Sequence, residues 1–399
     1  MGNITLIVGD PHLGKGMSLG KPGLGTQSNS RLIDQINLLD WILDKIDEHN
    51  VDTLIFTGDM FEDSKPDYNI VKILFDFLKK CEVSNIETHI IVGNHDIRRT
   101  GAYHISVLDL IESQEPEYVH VHKQITTILK DGVGFTLLPF RDRKSFNCET
   151  HDEAISELAE RLPYELLDIP DGFDKVLIGH LALEGSIFVG DEIDDFANEL
   201  MCPLSLFKGF DYVWHGHVHK PQIRSKKPYV AHIGSLDISD FGEIDHTKII
   251  VLYDPKLPNK FIEIPVPSRP LRKIIISVPI TENNTTNFII KEINKSNVLL
   301  PLQNAIVKIE IKLEGLASKN SKRSEIESLV YKLGAHYICN FSESRNASVI
   351  PITKKTDMVD NSISPKAAIK LYADTLTLSD DDKTAYIDYS VAIIDKLKR

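Results

Sequence analysis

Five short motifs recur in order along this chain: Asp10-Pro11-His12, Gly58-Asp59, Gly93-Asn94-His95-Asp96, Gly179-His180 and Gly216-His217-Val218-His219. Each of the first four closes a short, strongly apolar run. An apolar strand that stops at once on Asp, Asn or His packs poorly. It makes sense when the carboxyl ends of strands aim ligands at a shared cation site. A fold that accepts this sequence therefore has to gather those strand ends.

The spacing predicts strands at Asn3 to Val8, Thr53 to Thr57, His89 to Val92, Val133 to Leu138, Lys175 to Ile178, Tyr212 to Trp214 and Lys248 to Tyr253. It predicts helices over Ser30 to Asn50 and Asn69 to Lys80. In the first, Leu32, Ile36, Leu39, Leu43 and Ile46 fall at steps of four and three and form one apolar stripe; Ile70, Ile73, Leu74 and Phe77 do the same in the second. Strands without intervening helices become commoner in the second half. The expected fold class is α/β, with two packed sheets and helices outside rather than one doubly wound sheet.

The Pro-rich stretch Pro265 to Pro270 reads as a domain junction. Beyond it, Val307, Ile309, Ile311 and Leu313 alternate with charged residues as a half-buried strand, and Ser324 to Leu333 reads as a helix stopped by Gly334. Residues 353–364 look like a linker. Pro365 to Leu376 and Asp380 to Lys398 read as two helices, the second capped by Ser379 with Asp382 three residues on. The expected division is a main domain over 1–268, a smaller α/β capping domain over 269–352, the linker 353–364 and C-terminal helices over 365–399.

A two-metal hydrolase needs oxygen and imidazole ligands, a bridging carboxylate and an open position for phosphate and water. We assign Asp10, His12 and His219 to one metal, Asn94, His180 and His217 to the other, and Asp59 to the bridge. Two aspartates and two divalent ions leave the bare site at about +2, attractive to phosphate esters. The neutral amide of Asn94 ligates without cancelling more of that charge. His217 and His219 stand two apart, so on extended backbone both rings point the same way. His120-Val121-His122 has the same alternation without a glycine turn and is expected as a surface or core-edge strand, and His215 as packing or support.

His95 follows Asn94 and is expected close to the metals without ligating, either donating a proton to the leaving oxygen or holding the transition-state phosphate. Asp63 or Asp96 is expected to orient it. Lys15 and Lys21, in the Gly-rich stretch Gly14 to Gly25, and Arg98-Arg99 are candidate substrate contacts. That stretch is no nucleotide P-loop, because Gly16 and Gly20 enclose three residues instead of four and Pro22 stands where Ser or Thr would bind magnesium.

The net charge of −13 argues against a chain that coats nucleic acid over its whole surface. It leaves room for small basic clusters such as Arg141, Arg143 and Lys144, or Lys220 with Lys226-Lys227. No apolar run approaches the roughly 20 residues of a membrane helix. The amino terminus lacks the pattern of an export signal, so a cytoplasmic location is expected. Cys81, Cys148, Cys202 and Cys339 are far apart and are expected as free structural thiols.

Together the motifs resemble the calcineurin-like metallophosphoesterase superfamily, whose pattern is D-x-H, G-D, G-N-H-D/E, G-H and G-H-x-H on a double-sheet sandwich. More narrowly, Asp10-Pro11-His12-Leu13-Gly14, Gly58-Asp59-Met60-Phe61, His232-Ile233-Gly234-Ser235 and Asp240-Phe241-Gly242-Glu243 resemble the SbcD-type nuclease subunit of DNA double-strand-break repair complexes. The similarity covers roughly residues 1–270. It implies a manganese-dependent nuclease, exonuclease on duplex DNA ends and endonuclease on single strands. It also implies a homodimer paired with an SbcC-type ABC ATPase through the C-terminal helices, here by Ile387, Val391, Ile394 and Leu397, although that stripe fits docking on its own chain as well. Two alternatives share the residues: a phosphoprotein phosphatase or small-molecule phosphodiesterase with the same metals, and a catalytically silent scaffold.

Overall fold

The computed structural model describes residues 4–23, 28–100, 103–189, 199–314, 321–346, 365–374 and 379–397. Two six-stranded sheets carry the chain up to Pro265. The first has the order Phe261–Pro265, Ile249–Tyr253, Thr5–Val8 (β1), Thr53–Phe56 (β2), Glu87–Ile91 (β3) and Val119–His122, with the last four strands parallel. The second has the order Gln222–Lys226, Tyr229–His232, Tyr212–His215, Asp174–Gly179, Val133–Leu138 and Thr126–Lys130, with four parallel inner strands and antiparallel edges.

Strand alternation builds the layers. Ile7, Ile55 and Ile91 of the first sheet meet Phe135, Val176, Ile178 and Trp214 of the second in one buried cluster between the sheets. Their neighbours Leu6, Val8, Leu54, Phe56 and Ile90 turn outward onto helices α1 (Ser30–His49) and α2 (Tyr68–Val83). On the far side Leu177, Val213 and Val230 pack on Ala154, Leu158 and Leu162 of the helix His151–Leu167. Strands buried on both faces read as unbroken apolar runs, which is the pattern the sequence shows. The fold is the expected α/β double-sheet sandwich with helices outside.

Helix α1 departs from the expected stripe. Leu38, Leu39, Ile42 and Ile46 are buried, Leu32, Ile36 and Leu43 are only half-buried, and the first turns bury Arg31, Asp34 and Gln35 instead. The reason lies in what those side chains hold. Gln35 Nε2 donates to the carbonyls of His12 (3.2 Å) and Lys15 (3.3 Å), while Gly14 N–H donates to Gln35 Oε1 at 3.0 Å, so the loop after β1 rests on this helix. Arg31 donates to Asp34 (3.0 Å), to Asp237 (2.5 Å) and to the Ile238 carbonyl (2.7 Å). Asn50, in left-handed conformation at φ 52°, ends the helix one residue before the expected limit.

After the Pro-rich junction, Leu271–Val278, Ile306–Glu314 and Tyr337–Asn346 form a parallel three-stranded sheet with helices Thr285–Leu299 and Arg323–Lys332 and an apolar core of its own. Arg269 ties this smaller unit to α1, its Nε donating to Asp34 Oδ2 at 2.8 Å and its Nη2 to Asp34 Oδ1 at 2.5 Å. The chain up to Asn346 is one compact unit. The expected linker 353–364 lies outside the described residues. The second unit contains helices Pro365–Asp374 and Asp380–Leu397, whose expected ends at Leu376 and Lys398 also lie outside them. Ser379 caps the last helix, its hydroxyl oxygen accepting from Asp382 N–H at 3.2 Å.

Among the described residues no helix is long and apolar enough to cross a membrane, and all four cysteines are free thiols. Arg31 is fully buried between two carboxylates, and removing one partner of such a buried network leaves uncompensated charge. Arg31→Ala is expected to destabilise the protein by about 3–5 kcal/mol in urea unfolding. Wild-type stability in that variant would show the network to be dispensable.

Candidate metal centre

All five motifs sit just beyond strand ends. Asp10 and His12 follow β1, Asp59 follows β2, Asn94 follows β3, His180 follows Asp174–Gly179, and His217 and His219 follow Tyr212–His215. His12 (φ 43°), Asp59 (φ 48°) and His217 (φ 73°) adopt the left-handed backbone that non-glycine residues seldom enter, a form of strain held by surrounding structure. The glycines in the motifs leave room for the donors. A Cβ at Gly93 would stand 2.1 Å from Asp59 Oδ1, at Gly216 2.0 Å from Asp10 Oδ1, and at Gly58 2.4 Å from His180 Nδ1.

The structure brings the seven candidate ligands together. The donor atoms of Asp10, His12 and Asp59 lie within 4.8 Å of one another, as do those of Asp59, His180 and His217, so Asp59 belongs to both groups. His12 Nε2 stands 3.0 Å from His219 Nε2, and Asn94 Oδ1 stands 3.0 Å from both His180 Nε2 and His217 Nδ1. Asp59 Oδ2 is 3.1 Å from His180 Nε2 and 3.6 Å from His12 Nε2. Asn94 is half-buried and the other six are buried.

This donor set fits divalent metal ions on chemical grounds. Two carboxylates, an amide oxygen and four imidazoles are hard and borderline donors, and electron-rich atoms that face each other in the dry interior need positive charge among them. The titration behaviour says the same. Burial opposes charge on His180, yet Asp59 and Asp10 outweigh it and push that imidazole up to about 10. Asp59 is likewise held well below the usual carboxylate range against its burial by His180, His95 and His12.

A second ring of partners fixes the candidate ligands, and the sequence did not disclose it. His219 Nδ1 meets Glu243 Oε1 at 3.1 Å, and Lys248 Nζ stands 3.1 Å from Glu243 Oε2. His12 Nδ1 lies 2.9 Å from Glu62 Oε2, His180 Nδ1 lies 2.9 Å from the Thr57 carbonyl oxygen, and His217 Nε2 meets the Glu199 carboxylate. Asp10 accepts from the Thr57 hydroxyl at 2.7 Å and from His217 N–H at 2.5 Å. Glu243 had one signal in the sequence, its place in Asp240-Phe241-Gly242-Glu243; Glu62, Thr57, Glu199 and Lys248 had none.

His95 N–H donates to Asp59 Oδ1 at 2.8 Å, and its Nδ1 is 2.7 Å from the Glu62 carbonyl oxygen. A carbonyl only accepts, so Nδ1 carries the hydrogen in this arrangement. His95, Asn94, Asp63 and Glu199 line a cleft of about 370 Å³. The expected orienting carboxylates do other work. Asp63 is exposed and accepts from Lys65 N–H at 3.0 Å, whereas buried Asp96 accepts from Gly93 N–H (3.0 Å) and Phe61 N–H (3.2 Å). A main-chain carbonyl therefore aims His95. Lys15 is paired with Glu62 at 3.0 Å, Lys21 and Arg98 are exposed, and the Arg99 side chain lies outside the described residues. His215 is buried with its ring 5.1 Å from that of Phe207, and His120-Val121-His122 forms the outer strand of the first sheet.

The family model for calcineurin-like phosphoesterases matches residues 5–221. The chain belongs to this family. It is 25% identical over 345 residues to the SbcD subunit of the nuclease SbcCD from Staphylococcus epidermidis, covering 82% of this chain and 85% of that one. A solved dimetal phosphatase from Danio rerio matches with a TM-score of 0.38 at 10% identity, over 63% of this chain and 92% of the other. Membership makes the protein a metal-dependent phosphoesterase, and within the family its likeness is to the SbcD type.

Glu243 is ionised, held down to about 2 against its burial by His219 and Lys248. Such a carboxylate behind a ligating imidazole typically carries a 10–100-fold effect on metal affinity. Glu243→Gln is expected to weaken divalent-metal binding by about that factor in calorimetric titration. Unaltered affinity would remove Glu243 from the metal-holding apparatus.

Proposed function

We propose that the protein is a metal-dependent DNA nuclease of the SbcD type, acting on duplex ends as an exonuclease and on single strands as an endonuclease. The observation that carries this reading is its likeness to a nuclease subunit over 82% of the chain, joined to six candidate donors gathered around the carboxylate of Asp59. Asp10, His12 and His219 would hold one ion, Asn94, His180 and His217 the other, and Asp59 would serve both. Manganese is the proposed metal. When bound, the pair supplies Lewis-acid charge to a phosphodiester and lowers the pKa of water.

The chain's own residues do the rest. Asn94 contributes an oxygen without charge, which keeps the pocket attractive to anions. His95 keeps Nδ1–H on the Glu62 carbonyl, and Asp59 favours its charged form against burial, so the imidazolium presents Nε2–H as the proton handed to the leaving oxygen. The net charge of −13 suits a subunit whose partner supplies much of the DNA grip. That partner is an SbcC-type ATPase, received by Asp380–Leu397 through Ile387, Val391, Ile394 and Leu397; Ile387 and Val391 are half-buried, and the other two side chains lie outside the described residues. A homodimer working in the cytoplasm completes the reading, with the domains divided at 268, 352 and 364.

Purified protein with manganese, offered labelled duplex DNA, single-stranded circles, phosphopeptide and cyclic nucleotide, tests it. DNA cleavage that disappears in Asp59→Ala is the expected result; turnover of phosphopeptide or cyclic nucleotide alone points to a phosphatase or small-molecule phosphodiesterase, and inertness to a scaffold. His95→Ala is expected to lower DNA turnover by about 10²–10⁴-fold with metal content intact. Loss of metal from that variant would overturn the proton-donor role. Removal of residues 365–399 is expected to abolish capture of the ATPase, and retained capture would refute the partner-helix reading.

A further inference from the structure

A pocket of about 420 Å³ adjoins the metal centre, against the turn that delivers Asn94 and His95. Ile97 lines both this pocket and the cleft of His95, and Val92, two residues before Asn94, lines the pocket too. The Phe140 N–H donates to the Val92 carbonyl at 2.9 Å, and the Phe140 ring lies 6.3 Å from that of His180 and 5.9 Å from that of His217. The next residue, Arg141, therefore meets the pocket one step from two candidate ligands. Lys123, Lys144 and Arg161 join it there, and no aspartate or glutamate among the described residues lines the space.

Arg141 is only 8% exposed. Its Nη1 donates to the Phe140 carbonyl at 2.9 Å, and its Nη2 to the Lys123 carbonyl at 2.7 Å and to Gln124 Oε1 at 3.2 Å. All three acceptors are neutral, and the five N–H donors of a guanidinium outnumber them. Burial and the neighbouring Arg161 push Arg141 down to about 10, so its charge is kept at a cost. Asp142 offsets part of that charge, but its carboxylate is engaged in capping Arg143–Phe146, accepting from Ser145 N–H at 2.8 Å. The other cations differ in how free they are. Lys123 is taken up by Asp109 at 2.6 Å and by Glu112, Arg161 lies over the Phe146 ring with Glu157 at 3.6 Å, and Lys144 is exposed at the rim.

We propose that this pocket is a second phosphate site, which holds a phosphodiester of a nucleic-acid strand beside the one at the metals, with Arg141 and Lys144 as its main donors. The proposal rests on the nuclease reading and adds a subsite to it. A buried guanidinium whose acceptors are all neutral, facing a second guanidinium across an open space, is relieved by an anion between them. Phosphate supplies both the charge and the acceptor oxygens that arginine matches. The two hollows share Ile97 as a wall, so a free phosphate fills one of them alone, whereas a strand of linked phosphodiesters reaches both. Contacts of this kind position a strand without reading its bases. They also give an acidic chain a local grip on nucleic acid next to the chemistry.

The test is binding of a labelled single-stranded oligonucleotide with phosphorothioate linkages to the full-length protein, read by fluorescence anisotropy with manganese over a range of salt. On single strands each phosphate contact contributes about 0.7 to the slope of log affinity against log salt. Lys144→Gln is expected to raise Kd and to make that slope shallower by about 0.7. Lys144 is exposed, so its replacement leaves the core intact where Arg141→Gln can disturb it. Arg141→Gln is expected to lower the slope by a similar amount, a change that a purely packing role would not produce. Slopes equal to wild type in both variants, or no oligonucleotide bound at all, would overturn the proposal and leave solvated cations. Slopes that fall in the variants while wild type cleaves no DNA would uphold the subsite and remove the nuclease reading; DNA cleavage by wild type with all slopes equal would remove the subsite alone.

Discussion

Asp59 sits where two electron-rich groups meet, and the rest of the structure answers to it. Two buried carboxylates and a ring of imidazoles, taken out of water, repel or strand one another unless cationic charge stands among them. Holding that cluster requires glycines where a methyl group would collide, left-handed backbone at three donors, and strands that end together. Each requirement traces to closeness of approach.

Parallel strands in two facing sheets meet the requirement economically. Their carboxyl ends lie on one side, and rigid, doubly buried strands position the residues just past their ends more finely than loops alone. The helices have a part in this beyond covering the sheets. Gln35 and Arg31 of α1 support the loops after β1 and near Asp237, while Lys248 donates to the His219 carbonyl at 2.9 Å and to the Ser235 hydroxyl at 2.7 Å. Through Asp34 and Arg269 the same helix also anchors the smaller parallel sheet.

The legibility of the sequence has its source in these physical facts. Strands covered on both faces appear as apolar runs, and a donor directly after such a run has no packing reason to be there, so the seven candidates and the double sheet were legible. Helix α1 was misjudged in its first turns because periodicity treats polar residues as exposed, whereas Arg31, Asp34 and Gln35 are buried with partners. The partners behind the rings were hidden for another reason. Glu62 and Glu199 are carboxylates in irregular segments with no period to reveal them, and the group that aims His95 is a main-chain carbonyl, which every residue possesses. His120 and His122 were rightly separated from the five motifs as an edge strand.

Glu62 acts at two places at once, its side chain on the His12 ring and its main chain on the His95 ring. Between Asp59 and Glu62 the chain works as a ruler, since Leu13 N–H donates to the Met60 carbonyl at 2.9 Å and Glu62 N–H to the Leu13 carbonyl at 3.1 Å. One inserted residue in that span would shift both rings out of step, whereas the polar stretch that begins at Ser64 can lengthen without touching either.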